Sequence, residues 1–88
     1  MEFRWNEWNI DHIAEHGFAP EEAETIVRSA RPPFPRYDGG GRYRIWGQTT
    51  DGVYAQVVFI YDPPGVVYVI HCRPLSDHEK RLYRRKRK

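Results

Sequence analysis

The sequence predicts a single α+β domain built on a mainly antiparallel sheet of four to five strands. Three observations lead to this fold class. Apolar residues recur at helical spacing within residues 6–30, β-branched and aromatic runs alternate with Gly- and Pro-rich turns over residues 34–73, and a helix-start motif follows Pro74. The expected order of elements is β-α-α-β-β-β-β-α, with the helices packed on one face of the sheet.

Two helices are expected near the N-terminus, after a short strand at residues 3–5. Asn6 is a typical N-cap and Gly17 is a typical helix end. The second helix is expected to begin at Pro20, because a proline ring suits the first helical turn, and to end before Pro32.

Four strands are expected in the second half, at residues 34–38, 42–49, 53–61 and 66–73. Alternation along the second of these strands places Arg42 and Arg44 on one face. Alternation along the last places His71 and Arg73 together, on the same face as Val67 and Val69. Short turns between the strands favour hairpins.

The last predicted element is a helix that starts at Ser76, because Ser76 and Glu79 have the spacing of a capping box. The helix is expected to end near Tyr83. Residues 1–83 then form the domain, and residues 84–88 form a basic, flexible tail.

Charge is distributed unevenly along the chain. Residues 1–72 carry six Arg and ten Asp or Glu, a net charge of −4, whereas residues 73–88 carry eight Lys or Arg and two acidic residues, a net charge of +6. A basic end on an acidic body favours a polyanionic partner, and RNA is the partner we expect. The alternative is a solvated tail, which the charge run by itself favours.

Cysteine and histidine usage argues against a disulfide or a metal. Cys72 is the single cysteine, and no Cys/His cluster has zinc-site spacing. His12 and His16 lie four residues apart, but two histidines alone are a weak metal site, so we expect no metal or other cofactor and interpret both as helix-surface residues. No apolar run can cross a bilayer and no signal-peptide pattern is present, which predicts a cytoplasmic protein without membrane contact.

The candidate site combines a histidine with arginines. In RNA cleavage without a metal, the ribose 2′-OH loses a proton and its oxygen attacks the adjacent phosphate, and His71 can act there as general base or general acid. Arg73, with Arg42 and Arg44 if the two strands expose the same face, can hold the phosphate. Each has a structural alternative, because a lone histidine at a strand end and alternating arginines are both typical of a solvent face.

The final helix supplies the remaining candidates. Tyr83 can stack on a base or donate a hydrogen bond, although packing is its structural alternative. Lys80, Arg81 and Arg84 are expected to bind the RNA backbone without sequence preference.

Four segments carry a family resemblance. They are Phe3-Arg4-Trp5-Asn6, His16-Gly17-Phe18 followed by Glu21-Glu22-Ala23, Arg42 five residues before Gly47, and the run from Ile70 to Tyr83. The second resembles an "HG-V-S-x-E-E-A" segment and the last resembles an "I-S-A-R-x-A-T-x-x-E-R-x-x-Y" ending. In order and spacing, the segments resemble the BrnT family of bacterial type II toxins, a branch of the RelE-like ribonuclease fold.

The resemblance implies a RelE-like fold and a metal-independent endoribonuclease toxin. It also implies inhibition by a ribbon-helix-helix-like antitoxin of the BrnA type. The expected assembly is either a homodimer of the toxin or a heterotetramer of toxin and antitoxin. Arg42, Arg73, Glu79 and Tyr83 occupy family-like positions and are expected to be catalytic together with His71.

The chain also departs from the family pattern. Pro74 stands where many members carry a second Arg, Tyr68 and Val66 stand where some have Arg, and His71 replaces a Ser. A catalytically inactive toxin fold that binds a partner protein or nucleic acid is therefore the alternative function. A DNA-binding repressor is a third, disfavoured because no helix-turn-helix signal precedes the short basic helix.

Overall fold

A computed structural model describes residues 1–86 and shows the predicted order of elements. The elements are β1 (Phe3–Arg4), α1 (Glu7–Ala14), α2 (Pro20–Arg28), β2 (Arg36–Gly39), β3 (Arg42–Gln48), β4 (Tyr54–Asp62), β5 (Val66–Pro74) and α3 (Asp77–Lys86). The α+β class is confirmed, and each boundary lies within a few residues of its predicted place.

The five strands form one mixed sheet in the order β1-β5-β4-β3-β2. Strands β2 to β5 pair antiparallel with their neighbours in the chain, as the short turns predict. Strand β1 pairs parallel with β5, although α1, α2 and the other three strands lie between them in sequence. The sheet is therefore mainly antiparallel, with one parallel pairing at its edge.

A β-bulge in β5 changes the predicted alternation. Val58 pairs with His71 and Phe59 pairs with Val69, which leaves Ile70 as an extra residue. Residues directly opposite each other share a face, so Val69 shares the face of Phe59 while His71 shares that of Val58. The prediction that His71 lies on the face of Val67 and Val69 was wrong, because one inserted residue reverses the alternation.

The helices do not all pack on one face, which corrects the predicted arrangement. Helix α2 covers the face of Ile45, Val57 and Cys72, where a Cβ on Gly47 would lie 3.1 Å from Ile26 Cγ2. Helix α3 lies on the opposite face, and its Tyr83 ring contacts the ring of Tyr54. An amphipathic stripe identifies the buried side of a helix but not the face of the sheet that it covers.

Helix α1 lies against β5. Asn9 is fully buried there, and its Nδ2 donates to the backbone oxygens of Arg4 (3.1 Å) and Val69 (3.0 Å). Asn6 caps the helix as predicted, because its Oδ1 accepts from the Asn9 N–H while the Asn9 Oδ1 accepts from the Asn6 N–H. Residue 9 thus joins α1, β1 and β5.

Helix α3 begins with the predicted capping box: Ser76 N–H donates to Glu79 Oε1 (2.8 Å) and Glu79 N–H donates to Ser76 Oγ (3.1 Å). The helix continues to Lys86, so the first three residues of the predicted tail are helical. The rest of that predicted flexible tail, residues 87 and 88, lies outside the described residues. No helix within residues 1–86 is long and apolar enough to cross a membrane.

Candidate functional site

The candidate site lies on the sheet face opposite α2, which we call the histidine face. It is defined by three cross-strand rows: Arg42–Ile60–Tyr68, Arg44–Val58–His71 and Trp46–Gln56–Arg73. Each row spans three strands, so its outer Cα atoms are about 10 Å apart. The arginines of β3 therefore share a face with His71, as the candidate site requires.

Three histidines meet at the β5 edge of this face. The ring centroid of His71 lies 5.5 Å from that of His16 and 5.9 Å from that of His12. Sequence reasoning missed this cluster and treated His12 and His16 as helix-surface residues. Their four-residue spacing was the available signal, but the packing of α1 against β5 is what brings them to His71.

The environment of His71 disfavours its charged form. Partial burial lowers the pKa of His71 from its usual 6.5, and the positive charges of His16, His12 and Arg73 lower it further. The imidazole is therefore neutral at pH 7. A neutral imidazole can accept a proton as a general base.

Aromatic rings extend the cluster along α1. The ring of Trp8 stacks on that of His12 with centroids 5.0 Å apart, and it lies 6.3 Å from the ring of Tyr68. The Arg4 guanidinium lies over the opposite end of this series, 4.1 Å from the Tyr68 centroid, while its Nε donates to Asp62 at 2.6 Å.

Two predicted catalytic residues are bound to each other. Arg73 donates to both carboxylate oxygens of Glu79 at 2.8 Å, and also to the Pro74 carbonyl and to Gln56 Oε1. The pairing with Arg73 and the bonds from Ser76 lower the pKa of Glu79 to about 2. The pair joins β5 to α3. Because Arg73 already makes these four hydrogen bonds, most of its donor capacity is used.

Tyr83 lies inside the domain rather than at its surface. Its side chain is 8% exposed and packs between Phe34 and Tyr54, with ring centroids 6.2 and 5.9 Å away. Its outer edge lines a shallow depression with Gln48 and Arg31. The structure thus places Tyr83 away from His71 and among packing residues.

The predicted RNA-binding cations of α3 lie on the histidine-face side of the sheet. Arg84 lies over the ring of Tyr54 at 5.2 Å, Arg81 is exposed, and Lys80 lies 3.8 Å from the exposed Asp77. In β3, Arg42 is exposed, whereas the Arg44 Nε lies 3.5 Å from Asp38 and its guanidinium lies over Trp46. The outer surface of this face is therefore basic.

Metal and thiol chemistry find no support in the described part of the chain. Within residues 1–86, no group of three or more His, Cys, Asp or Glu side chains is arranged to hold a metal ion. Burial raises the pKa of Cys72 to about 12, which keeps its thiol protonated and unreactive.

Comparison with protein-family models, curated proteins and solved structures finds no match to this chain.

Proposed function

We propose that the protein is a metal-independent endoribonuclease that cleaves RNA by attack of the ribose 2′-OH on the adjacent phosphate. The observation that carries the proposal is the cluster of His71, His16 and His12 on a sheet face that also bears arginines. Two imidazoles at this separation can act on the two oxygens between which the phosphoryl group is transferred.

The chemistry assigns a role to each imidazole. His71, held neutral by its lowered pKa, takes the 2′-OH proton as the 2′-oxygen bonds to phosphorus. The bond from phosphorus to the 5′-oxygen breaks, and His16, acting as the general acid, gives this oxygen a proton. The products are a 2′,3′-cyclic phosphate and a free 5′-hydroxyl, so the two histidines have exchanged protonation states.

The arginines of β3 are better placed to bind the phosphate than Arg73 of β5. Arg42 has no hydrogen bond or ion pair among the described residues and shares the histidine face. Arg44 lies in the same cross-strand row as His71. Arg73 would have to leave Glu79 to bind a phosphate, which gives it a structural role in this mechanism.

The biological role proposed is that of a bacterial type II toxin of the BrnT type, with a RelE-like fold. Support comes from the motif order described above and from an α+β fold with the element order β-α-α-β-β-β-β-α. A ribbon-helix-helix-like antitoxin of the BrnA type would be its inhibitory partner, and the cytoplasm its compartment.

The test is cleavage of RNA by the purified protein in EDTA. We expect His71→Ala and His16→Ala each to slow cleavage by about 10²- to 10⁴-fold, the usual contribution of a general acid or base. His78→Ala is the matched control, since His78 is exposed on α3 outside the cluster, and should cleave at the wild-type rate. Intact RNA with the wild-type protein, or full activity in His71→Ala, would contradict the proposal.

A catalytically inactive toxin fold that binds RNA is the second candidate. The ion pair between Arg73 and Glu79 and the absence of Arg at positions 68 and 74 favour it. It predicts salt-dependent RNA binding without cleavage.

A further inference from the structure

Four flat side chains form a series along the β5 edge of the histidine face. The Arg4 guanidinium lies over the Tyr68 ring, the rings of Tyr68 and Trp8 are inclined by 18°, and those of Trp8 and His12 by 6°. We call this series the stacking platform. Two hydrogen bonds hold its members in place: Arg4 donates to Asp62, and the Tyr68 hydroxyl donates to Asn6 Oδ1 at 3.2 Å.

Trp8 is the exposed aromatic residue of the platform, whereas the rings of Tyr68 and His12 are partly buried. It is 56% exposed, whereas Trp46 is 7% exposed and donates to Gln56, and the Trp5 indole donates to Glu24. A single exposed apolar side chain is common, but this one continues a row of near-parallel rings that ends at the histidine cluster. At this exposure, the part of the indole that Tyr68 and His12 leave uncovered is open to another flat group.

We propose that the stacking platform binds an unpaired base of single-stranded RNA and thereby positions the strand for cleavage; this rests on the proposed function and specifies its substrate class. Base stacking on aromatic rings accepts any base but requires that the base be unpaired. His12 joins the two sites, since its ring contacts Trp8 on one side and lies 5.9 Å from His71.

Charge on the same face favours a nucleic acid as the occupant. Arg42 and Arg44 lie across the sheet from Tyr68 and His71, in the same cross-strand rows. If one base of the strand stacked on Trp8, the neighbouring phosphates of that strand would lie across the face, toward these arginines. In a duplex the bases stack on each other and cannot reach the platform, so the single strand is the form that fits.

The experiment measures binding separately from cleavage. The probe is a 2′-O-methyl RNA oligonucleotide, which lacks the attacking hydroxyl, offered as a single strand and as a duplex of the same sequence. We expect the single strand to bind more tightly and to quench Trp8 fluorescence. Trp8→Leu should weaken single-strand binding by about 5- to 150-fold, as the loss of one stacked base does, with little effect on the duplex.

A matched control separates stacking from general loss of aromatic surface. Tyr37→Leu removes another exposed ring, 61% exposed, which lies on the opposite face of the sheet, and it should bind as the wild type does. Trp8→Phe keeps a π-face and should retain most of the affinity. Equal binding of single strand and duplex, no binding of the probe, or full affinity in Trp8→Leu would overturn the inference.

The same variants distinguish this inference from the proposed function. Cleavage that is lost in His71→Ala but unaffected in KM by Trp8→Leu would overturn the stacking platform and leave the ribonuclease in place. Trp8-dependent binding of the single strand by a wild-type protein that cleaves no RNA would overturn the ribonuclease and leave the platform in place.

Discussion

At the scale of single residues, the surroundings of His71 determine both its chemistry and its effect on stability. Burial and three neighbouring positive groups, His16, His12 and Arg73, lower its pKa in the folded state. The unfolded chain therefore binds a proton at His71 more readily than the folded chain does. By linkage, folded-state stability falls as pH decreases below 6.5 toward the lowered pKa, and this loss is absent above 6.5.

The corresponding prediction is that His71→Gln makes the stability of the domain less sensitive to acid as pH falls below 6.5. Replacing the imidazole with an uncharged amide removes the group whose protonation in acid favours the unfolded state. Thermal unfolding across this pH range is the measurement, with His78→Gln as the exposed-histidine control. Glu79 titrates in a separate window, because its contribution is present above 4.5 and is lost as pH falls through about 2. Parallel pH profiles for wild type and His71→Gln would contradict the prediction.

At the scale of elements, α1 is fixed to the edge of the sheet by one polar side chain. Asn9 satisfies the carbonyls of Arg4 and Val69 in a fully buried position and also completes the N-cap with Asn6. Of the histidines that meet His71, His12 lies one turn further along the same helix and His16 lies in the turn just after its end at Ala14. The position of Asn9 thus links the folding of the edge to the geometry of the histidine cluster.

We expect Asn9→Leu to lower the free energy of unfolding by about 1–3 kcal/mol, because it leaves buried carbonyls without a donor. It should also reduce RNA cleavage in whatever fraction remains folded, because α1 loses its attachment to β5. Urea unfolding and a cleavage assay are the measurements. Asp11→Ala, at an exposed position on the same helix, should change stability by no more than about 0.5 kcal/mol. Equal stability in the two variants would show that Asn9 does not hold α1.

The sequence predicted the elements whose signals are local. The caps at Asn6 and Ser76 and the proline that begins α2, Pro20, lie at the helix starts that they mark, and Glu79 completes its capping box three residues from Ser76. The bulge at Ile70 could not be predicted, because a register shift depends on the partner strand. The meeting of His12 and His16 with His71 likewise depends on a contact between α1 and β5, more than fifty residues apart.

At the scale of the molecule, the uneven charge of the sequence becomes an uneven surface. The basic residues of α3 lie on the histidine-face side, where Arg84 contacts Tyr54, whereas α2 on the other face carries Glu21, Glu22 and Glu24. A polyanion would therefore be attracted to the face that bears the histidines. This arrangement connects the net charge of +6 in residues 73–88 to the candidate site.

The prediction at this scale concerns the salt dependence of RNA binding. Each phosphate contact to a single strand contributes about 0.7 to the slope of log affinity against log salt concentration, because binding releases counterions. Arg81→Ala and Arg84→Ala should each lower that slope by about this amount for the 2′-O-methyl single strand. Arg28→Ala, which removes a cation that is paired with Glu24 on α2, should leave the slope unchanged. If the slope is the same in all three variants, α3 does not contact the phosphates, and the basic residues beside the histidine face serve only to keep the chain solvated.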